Sequence, residues 1–207
     1  HLFELFKQED KNNYKYVCFY TTAIYTGFRL GEILGLEWKD VNFDTNVITV
    51  NRTCLYSKAK GGLYTETPKT SLSMGSLKVP QGVMDVLMKW HELQNEQHIK
   101  VGDKWIENDR IFTKWNGLPL DGTAPGYYFK RFCERTGMPY VSNHSFRHFN
   151  ASVLISSGVD VKTVQSCLGH STPMTTLSIY AHSFRSSQAR AMDTVADTIN
   201  FKKAVSE

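Results

Sequence analysis

His144-Ser-Phe-Arg-His-Phe-Asn-Ala-Ser-Val-Leu-Ile-Ser-Ser-Gly158, continued by Leu168-Gly-His-Ser-Thr and Thr176-Leu-Ser-Ile-Tyr-Ala-His182, gathers the side chains most capable of chemistry. Its apolar spacing predicts short helices over 144–157, 160–168 and 173–182, with Gly158 and Gly169 as C-terminal stops. His144 and Arg147 are three apart and share one helix face, so both can converge on a single anion. Gly169 precedes His170, and Tyr180 follows ten residues on. An anion held by Arg and His beside a Tyr suits phosphoryl transfer to a phenol.

Working outward, Tyr16, Val17, Tyr20, Ala23 and Ile24 recur at helical spacing, and Gly27 supplies a stop. Thr26-Gly-Phe-Arg-Leu-Gly-Glu-Ile-Leu-Gly-Leu follows, in which Arg29 is the sole basic residue among small and apolar ones. Burying it requires a partner, and Glu32 three residues on is the internal candidate. Between Val47 and Lys78 the period changes. Val47-Ile-Thr-Val and Leu63-Tyr-Thr-Glu-Thr, separated by Lys58-Ala-Lys-Gly-Gly, read as hairpins of one small antiparallel sheet, with Pro68-Lys-Thr placing Lys69 on its rim. Helical spacing returns at Gln81–His98, where Val83, Val86, Leu87, Trp90 and Leu93 form a stripe. A brief strand over Arg110–Thr113, a loop over 116–126, a helix over Tyr127–Thr136 and an amphipathic helix over 188–205 complete the expectation. The four tryptophans, Trp38, Trp90, Trp105 and Trp115, read as core or satellite packing. The fold class is mainly α with a small antiparallel β-sheet (α+β), and residues 1–207 read as one large domain.

The formal charge of +4, from 24 basic and 20 acidic residues, is compatible with a polyanionic partner without requiring one. Four cysteines, Cys18, Cys54, Cys133 and Cys167, lack C-x-x-C spacing, which argues against a zinc ribbon or redox dithiol. Free thiols fit a reducing cytoplasm. The first residue is His1 within an apparent helix, so the expectation is a fragment lacking an N-terminal domain.

Transfer of a phosphodiester to an enzyme side chain spreads negative charge over equatorial oxygens, which fixed arginines stabilise. Arg29 and Arg147 suit that clamp. The Tyr180 phenol, with an ordinary pKa of about 10, must lose its proton as it attacks. The leaving 5′-oxygen needs an acid, and Lys69 is within reach on a rim. Taken singly, each residue has a plainer reading: an Arg29–Glu32 ion pair, solvated lysines at 58, 60 and 69, hydrogen-bonded histidines at helix ends, and a half-buried Tyr180.

Their joint order changes the balance. The chain resembles the catalytic domain of the tyrosine recombinases, the phage integrase family that includes integrases of mobile elements. Thr26–Leu36 resembles the first arginine box, Pro68-Lys-Thr the hairpin lysine, and His144-Ser-Phe-Arg-His the second arginine box. Leu168-Gly-His-Ser-Thr and Thr176-Leu-Ser-Ile-Tyr-Ala-His resemble the final histidine and nucleophile boxes. The resemblance implies Arg29 and Arg147 as the phosphate clamp, Lys69 as the acid, and His144 and His170 as aids to proton transfer. Tyr180 then forms a 3′-phosphotyrosyl link that another strand's 5′-hydroxyl resolves. It also implies double-stranded DNA attachment or recombination sites as partner, homo-tetramers on DNA, accessory DNA-bending or directionality proteins, and a bacterial cytoplasmic setting on the nucleoid. No cofactor, ATP or metal is implied, in line with the lack of a P-loop motif or carboxylate cluster in the sequence. Two departures stand out: Phe146 replaces the usual leucine, and Gly75 stands where many relatives have an arginine after Lys69.

Three rivals remain. One is a DNA-binding regulator with this fold that no longer cleaves; the intact Arg29, Lys69 and Tyr180 set argues against it. Another is a type IB topoisomerase, using much the same chemistry. The third is a metal hydrolase built on His144, His148, His170 and His182, but Ser145 stands where H-E-x-x-H has glutamate.

Overall fold

Helix α2 (Tyr14–Thr26) is apolar on most sides, and its residues Val17 to Ala23 are all buried. A helix without a polar face becomes the centre of a domain. Its buried threonines are satisfied internally, Thr22 Oγ1 donating to Cys18 O (2.9 Å) and Thr26 Oγ1 to Thr22 O (2.7 Å). The computed structural model describes residues 1–67 and 75–169. Around α2 lie α1 (Leu2–Phe6), α3 (Leu30–Gly35), α4 (Gln81–Val101), α5 (Ala124–Thr136), α6 (Asn143–Ser156) and α7 (Val161–Leu168). The strands are β1 (Val41–Asn42), β2 (Val47–Thr49), β3 (Thr53–Ser57), β4 (Gly62–Glu66) and β5 (Ser76–Lys78).

The main core is aromatic. Tyr20 packs its ring against Phe129 at 4.6 Å and Phe146 at 5.3 Å, drawing α2, α5 and α6 together. Its hydroxyl, 2.7 Å from Pro125 O and 2.8 Å from the Asn143 side-chain amide, satisfies the polar end of that ring. A smaller cluster of Ala151, Ile155, Val164 and Leu168 joins α6 to α7.

The strands form two antiparallel sheets rather than the single one expected. One has the order β1-β2-β5, with Ile48 opposite Leu77; the other is the β3-β4 hairpin, with Tyr56 opposite Leu63. The division falls after β2, because β3 is drawn beneath α3. Gly31 and Gly35 share one face of α3, and a Cβ on either would lie 2.6 Å from Cys54 O or 2.7 Å from Arg52 O. Only bare glycine lets a helix approach strand backbone so closely. Lys58–Lys60 form the hairpin tip as expected, with Lys60 paired to Glu66 at 2.7 Å.

Three other expectations change. Arg110–Thr113 is no regular strand: it makes single bridges, Glu37 to Arg110 and Thr113 to Pro119. Ile111 and Phe112 are fully buried, but their backbone pairs with loops on either side and no ladder extends. Helix α5 begins at Ala124, not Tyr127, because the Asp121 carboxylate accepts from Thr123 N (3.0 Å) and Ala124 N (3.1 Å) and Pro125 occupies the first turn. Trp115 is 59% exposed rather than packed in a core. In α4, Val83, Leu87 and Trp90 are buried as read, joined by Met84 and Gln94, with Val86 and Leu93 partly buried at the edge. The helices expected over 173–182 and 188–205 lie outside the described residues.

Gly31→Ala is expected to lower stability by about 1–3 kcal/mol through overpacking against β3. Gly82→Ala, whose Cβ meets nothing within 4 Å at the start of α4, leaves it unchanged or raised. Urea denaturation of both variants checks the contrast.

Candidate active site

Helix α6 is capped by Ser142, whose side chain accepts from Ser145 N, and this first turn sets the direction of the residues behind it. Phe146 faces the aromatic core, so Arg147 beside it is carried inside and is only 3% exposed. Its Nη1 donates to Gly27 O at 2.7 Å and its Nη2 to Leu168 O at 2.6 Å. Those carbonyls belong to the C-terminal ends of α2 and α7, where helix dipoles and unpaired oxygens favour a cation. One buried guanidinium thus joins three helices. Burial first, and Arg29 next, push its pKa down to about 10, leaving it charged at neutral pH. Gly27 adopts φ 63°, and a Cβ there would lie 2.4 Å from the Leu168 side chain. Asn150, one turn beyond Arg147, closes the same corner by donating to Ile24 O (2.9 Å) and Tyr25 O (3.1 Å).

Arg29 is the N-cap of α3. Its backbone N–H donates to Glu32 Oε2 and its Nη1 to Glu32 Oε1, both at 2.7 Å, so the expected ion pair is present. The Glu32 side chain is 6% exposed and that of Arg29 is 41% exposed, so Arg29 is the accessible member of the pair. Its Nη2 reaches Gly169 O at 3.2 Å. The two arginines therefore bind successive carbonyls at the end of α7, which brings the two motif arginines into one site. His144 stands one turn before Arg147, its ring edge-to-face with His148 at 4.4 Å. Burial, then the nearby His148, Arg147 and Arg29, lower its pKa below 6.5. The other residues read as catalytic, Lys69, His170 and Tyr180, lie outside the described residues. Among the described residues, no three His, Cys, Asp or Glu side chains gather as a metal site.

Residues 2–187 match the phage integrase family. The chain belongs to that family. It is 31% identical over 185 residues to a XerC-like tyrosine recombinase of Caldanaerobacter subterraneus, covering 84% of this chain and 47% of the relative. It is 30% identical over 181 residues to the ICEBs1 integrase of Bacillus subtilis, covering 87% of this chain and 48% of that protein. The chain thus spans about half the length of these relatives. The fold is also that of the Tn1549 transposon integrase, solved in complex with transposon right-end DNA. The TM-score is 0.77 at 24% identity, covering 93% of this chain and 62% of that one.

For a phage integrase family chain, the arginine boxes were visible in the sequence, whereas the residues that hold them were less so. Asn150 had an available signal, lying three residues beyond Arg147 on the same helix face. In the cluster behind α3 only Glu37 and Asp40, three residues apart, had a local signal; Arg52 and Arg110 join them from distant segments with no spacing to announce it. Among the described residues no helix is long and apolar enough to cross a membrane.

Arg147→Ala leaves two buried carbonyls without their charged donor and is expected to lower stability by about 3 kcal/mol, with α7 losing amide-exchange protection first. The lowered pKa of His144 means that the unfolded chain binds the proton more readily. Its contribution to stability is therefore present above pH 6.5 and lost as pH falls below it. His144→Gln is expected to flatten the loss of stability between neutral and mildly acidic pH, read by chemical denaturation at several pH values.

Proposed function

We propose that this chain is the catalytic domain of a site-specific recombinase that cleaves and rejoins duplex DNA through a 3′-phosphotyrosyl intermediate on Tyr180. The observation that carries the reading is the pair of arginines on successive α7 carbonyls, one buried and fixed, the other open to ligand. A scissile phosphodiester meets Arg29 from the open side, with the Arg147 charge behind and His144 one turn away. Both cations stabilise the charge that develops on the nonbridging oxygens as the phosphorus becomes pentacoordinate.

The Tyr180 oxygen attacks phosphorus, the bond to the 5′-oxygen breaks, and Lys69 supplies the proton the departing oxygen takes up. His144 and His170 assist the phenol's proton loss. In the second step a 5′-hydroxyl of another strand attacks the phosphotyrosine, and the phenol regains its proton as the diester re-forms. One phosphoester replaces another, so the reading calls on neither ATP nor a metal. The names of the relatives, an integrase of ICEBs1 and an integrase of Tn1549 held with transposon DNA, support mobile-element DNA as substrate and integration or excision as role. Four protomers assembled on recombination sites, with accessory DNA-bending or directionality proteins, on the nucleoid of the bacterial cytoplasm, complete the proposal by family resemblance.

The test is covalent trapping on a nicked duplex carrying the ends of the host element, in EDTA, with Tyr180→Phe as control. A denaturation-resistant adduct that disappears in the Phe variant is expected. Binding without an adduct identifies a regulator instead, and relaxation of supercoiled plasmid without strand exchange a topoisomerase.

A further inference from the structure

Behind the candidate site, at the end of α3 away from Arg29, four largely buried charged residues form a second cluster, with the exposed Lys39 on its rim 2.7 Å from Glu37. The α3 helix is six residues long, Leu30 to Gly35, so its ends lie about 9 Å apart. Arg29 caps the first end. At the other end the Gly35 carbonyl accepts two guanidinium N–H groups, from Arg110 Nη1 at 2.5 Å and from Arg52 Nη1 at 3.2 Å. Neither arginine is held loosely. Arg52 forms a short ion pair to Asp40 through Nη1, a second contact to Asp40 Oδ1 through Nη2 at 3.3 Å, and one to Glu37 at 3.1 Å. Arg110 Nε lies 3.7 Å from Glu37. Asp40 is further fixed by Asn51 (2.8 Å) and by the Glu37 backbone N–H (2.8 Å). The Asp40 side chain is 1% exposed, and those of Arg110, Glu37 and Arg52 are 12%, 15% and 17% exposed.

Such a cluster is more than α3 needs to stay helical. One donor satisfies a carbonyl, and burying four charges is a costly way to do it. What the network does is fix position. Gly31 and Gly35 let α3 lie directly on the backbone of Arg52 and Cys54, with the Thr53 methyl against Gly31 and Ile33 and Leu34 buried on the core side. Those apolar contacts are non-directional, and the guanidinium clamp on Gly35 O adds a directional hold at the end of the helix. Because α3 is under two turns long, a slide or tilt at Gly35 moves the whole helix and with it Arg29 at the other end.

We propose that Arg52 and Arg110 are positioning residues for Arg29, setting where its guanidinium meets the scissile phosphate by holding the far end of α3 at Gly35 O. This rests on the recombinase reading, and its test separates the two. Single-turnover formation of the Tyr180 adduct on the nicked duplex is measured for the full chain and for Arg52→Gln, Arg52→Lys, Arg29→Lys and the Arg29→Lys/Arg52→Gln pair. Each is assayed well below its own melting temperature, with DNA affinity measured alongside.

Arg52→Gln is expected to slow adduct formation roughly 10- to 100-fold with DNA affinity nearly unchanged, as for a misplacement of about 1 Å, and Arg52→Lys to recover part of the loss. In the double variant the Arg52 change should add little to the Arg29→Lys defect, because its effect runs through Arg29. Multiplying defects, or an Arg52→Gln rate equal to wild type, overturn the proposal while leaving the recombinase reading intact. Absence of any wild-type adduct instead removes that reading and this inference with it. Should Arg52→Gln fail to fold, Arg52→Lys and Arg110→Lys carry the same double-variant comparison, with the same outcomes deciding it.

Discussion

A buried guanidinium hydrogen-bonded to two helix ends is the constraint from which the candidate site follows. Arg147 would be expensive to bury without partners, and those it has among the described residues include the main-chain carbonyls of Gly27 and Leu168. Carbonyl dipoles hold the group in place and leave it a cation, and the nearby Glu32 carboxylate favours that charged form. The cation in turn decides the close meeting of α2 and α7, which is possible because position 27 has no Cβ.

Arg29 is held by a different device. Its carboxylate partner, Glu32, lies on the same short helix and takes both its backbone N–H and its Nη1, so the guanidinium is oriented locally while the side chain stays partly exposed. The site thus combines one rigid, desolvated cation with one accessible cation, joined through adjacent carbonyls at the end of α7. Under the proposed recombinase reading, a phosphate would meet an Arg29 guanidinium whose direction Glu32 and Gly169 O already set, and that preorganisation limits the reorganisation needed in a charged transition state.

The elements that agree between sequence and structure are those whose signals are local. Helix α2, its stop at Gly27, the stripe of α4 and the glycine ends of α6 and α7 depend on apolar period and on left-handed backbone that glycine adopts readily. The Arg29–Glu32 pair is three residues apart and was equally legible. Failures occurred where a distant segment chose the outcome. The split into two sheets depends on α3 lying against β3, and the irregular backbone of Arg110–Thr113 on which loops flank it. Trp115 carries a residue type that usually packs, but its loop turns it to solvent. The early start of α5 was available in principle, since Asp121 capping and Pro125 are both local signals.

By itself, the sequence determined the order and types of the motif residues, the helical period of most of the chain, and the family. These depend on side-chain chemistry and on spacing within a few turns, which the chain carries wherever it folds. Only the tertiary structure decided that Arg147 is buried and bound to the ends of α2 and α7, that Arg29 stays open beside it, and that a four-residue ionic cluster grips the far end of α3. Those outcomes require arginines to meet carbonyls and carboxylates from segments as much as 140 residues apart within hydrogen-bond distance. No local pattern encodes such a meeting; it follows from how the core packs.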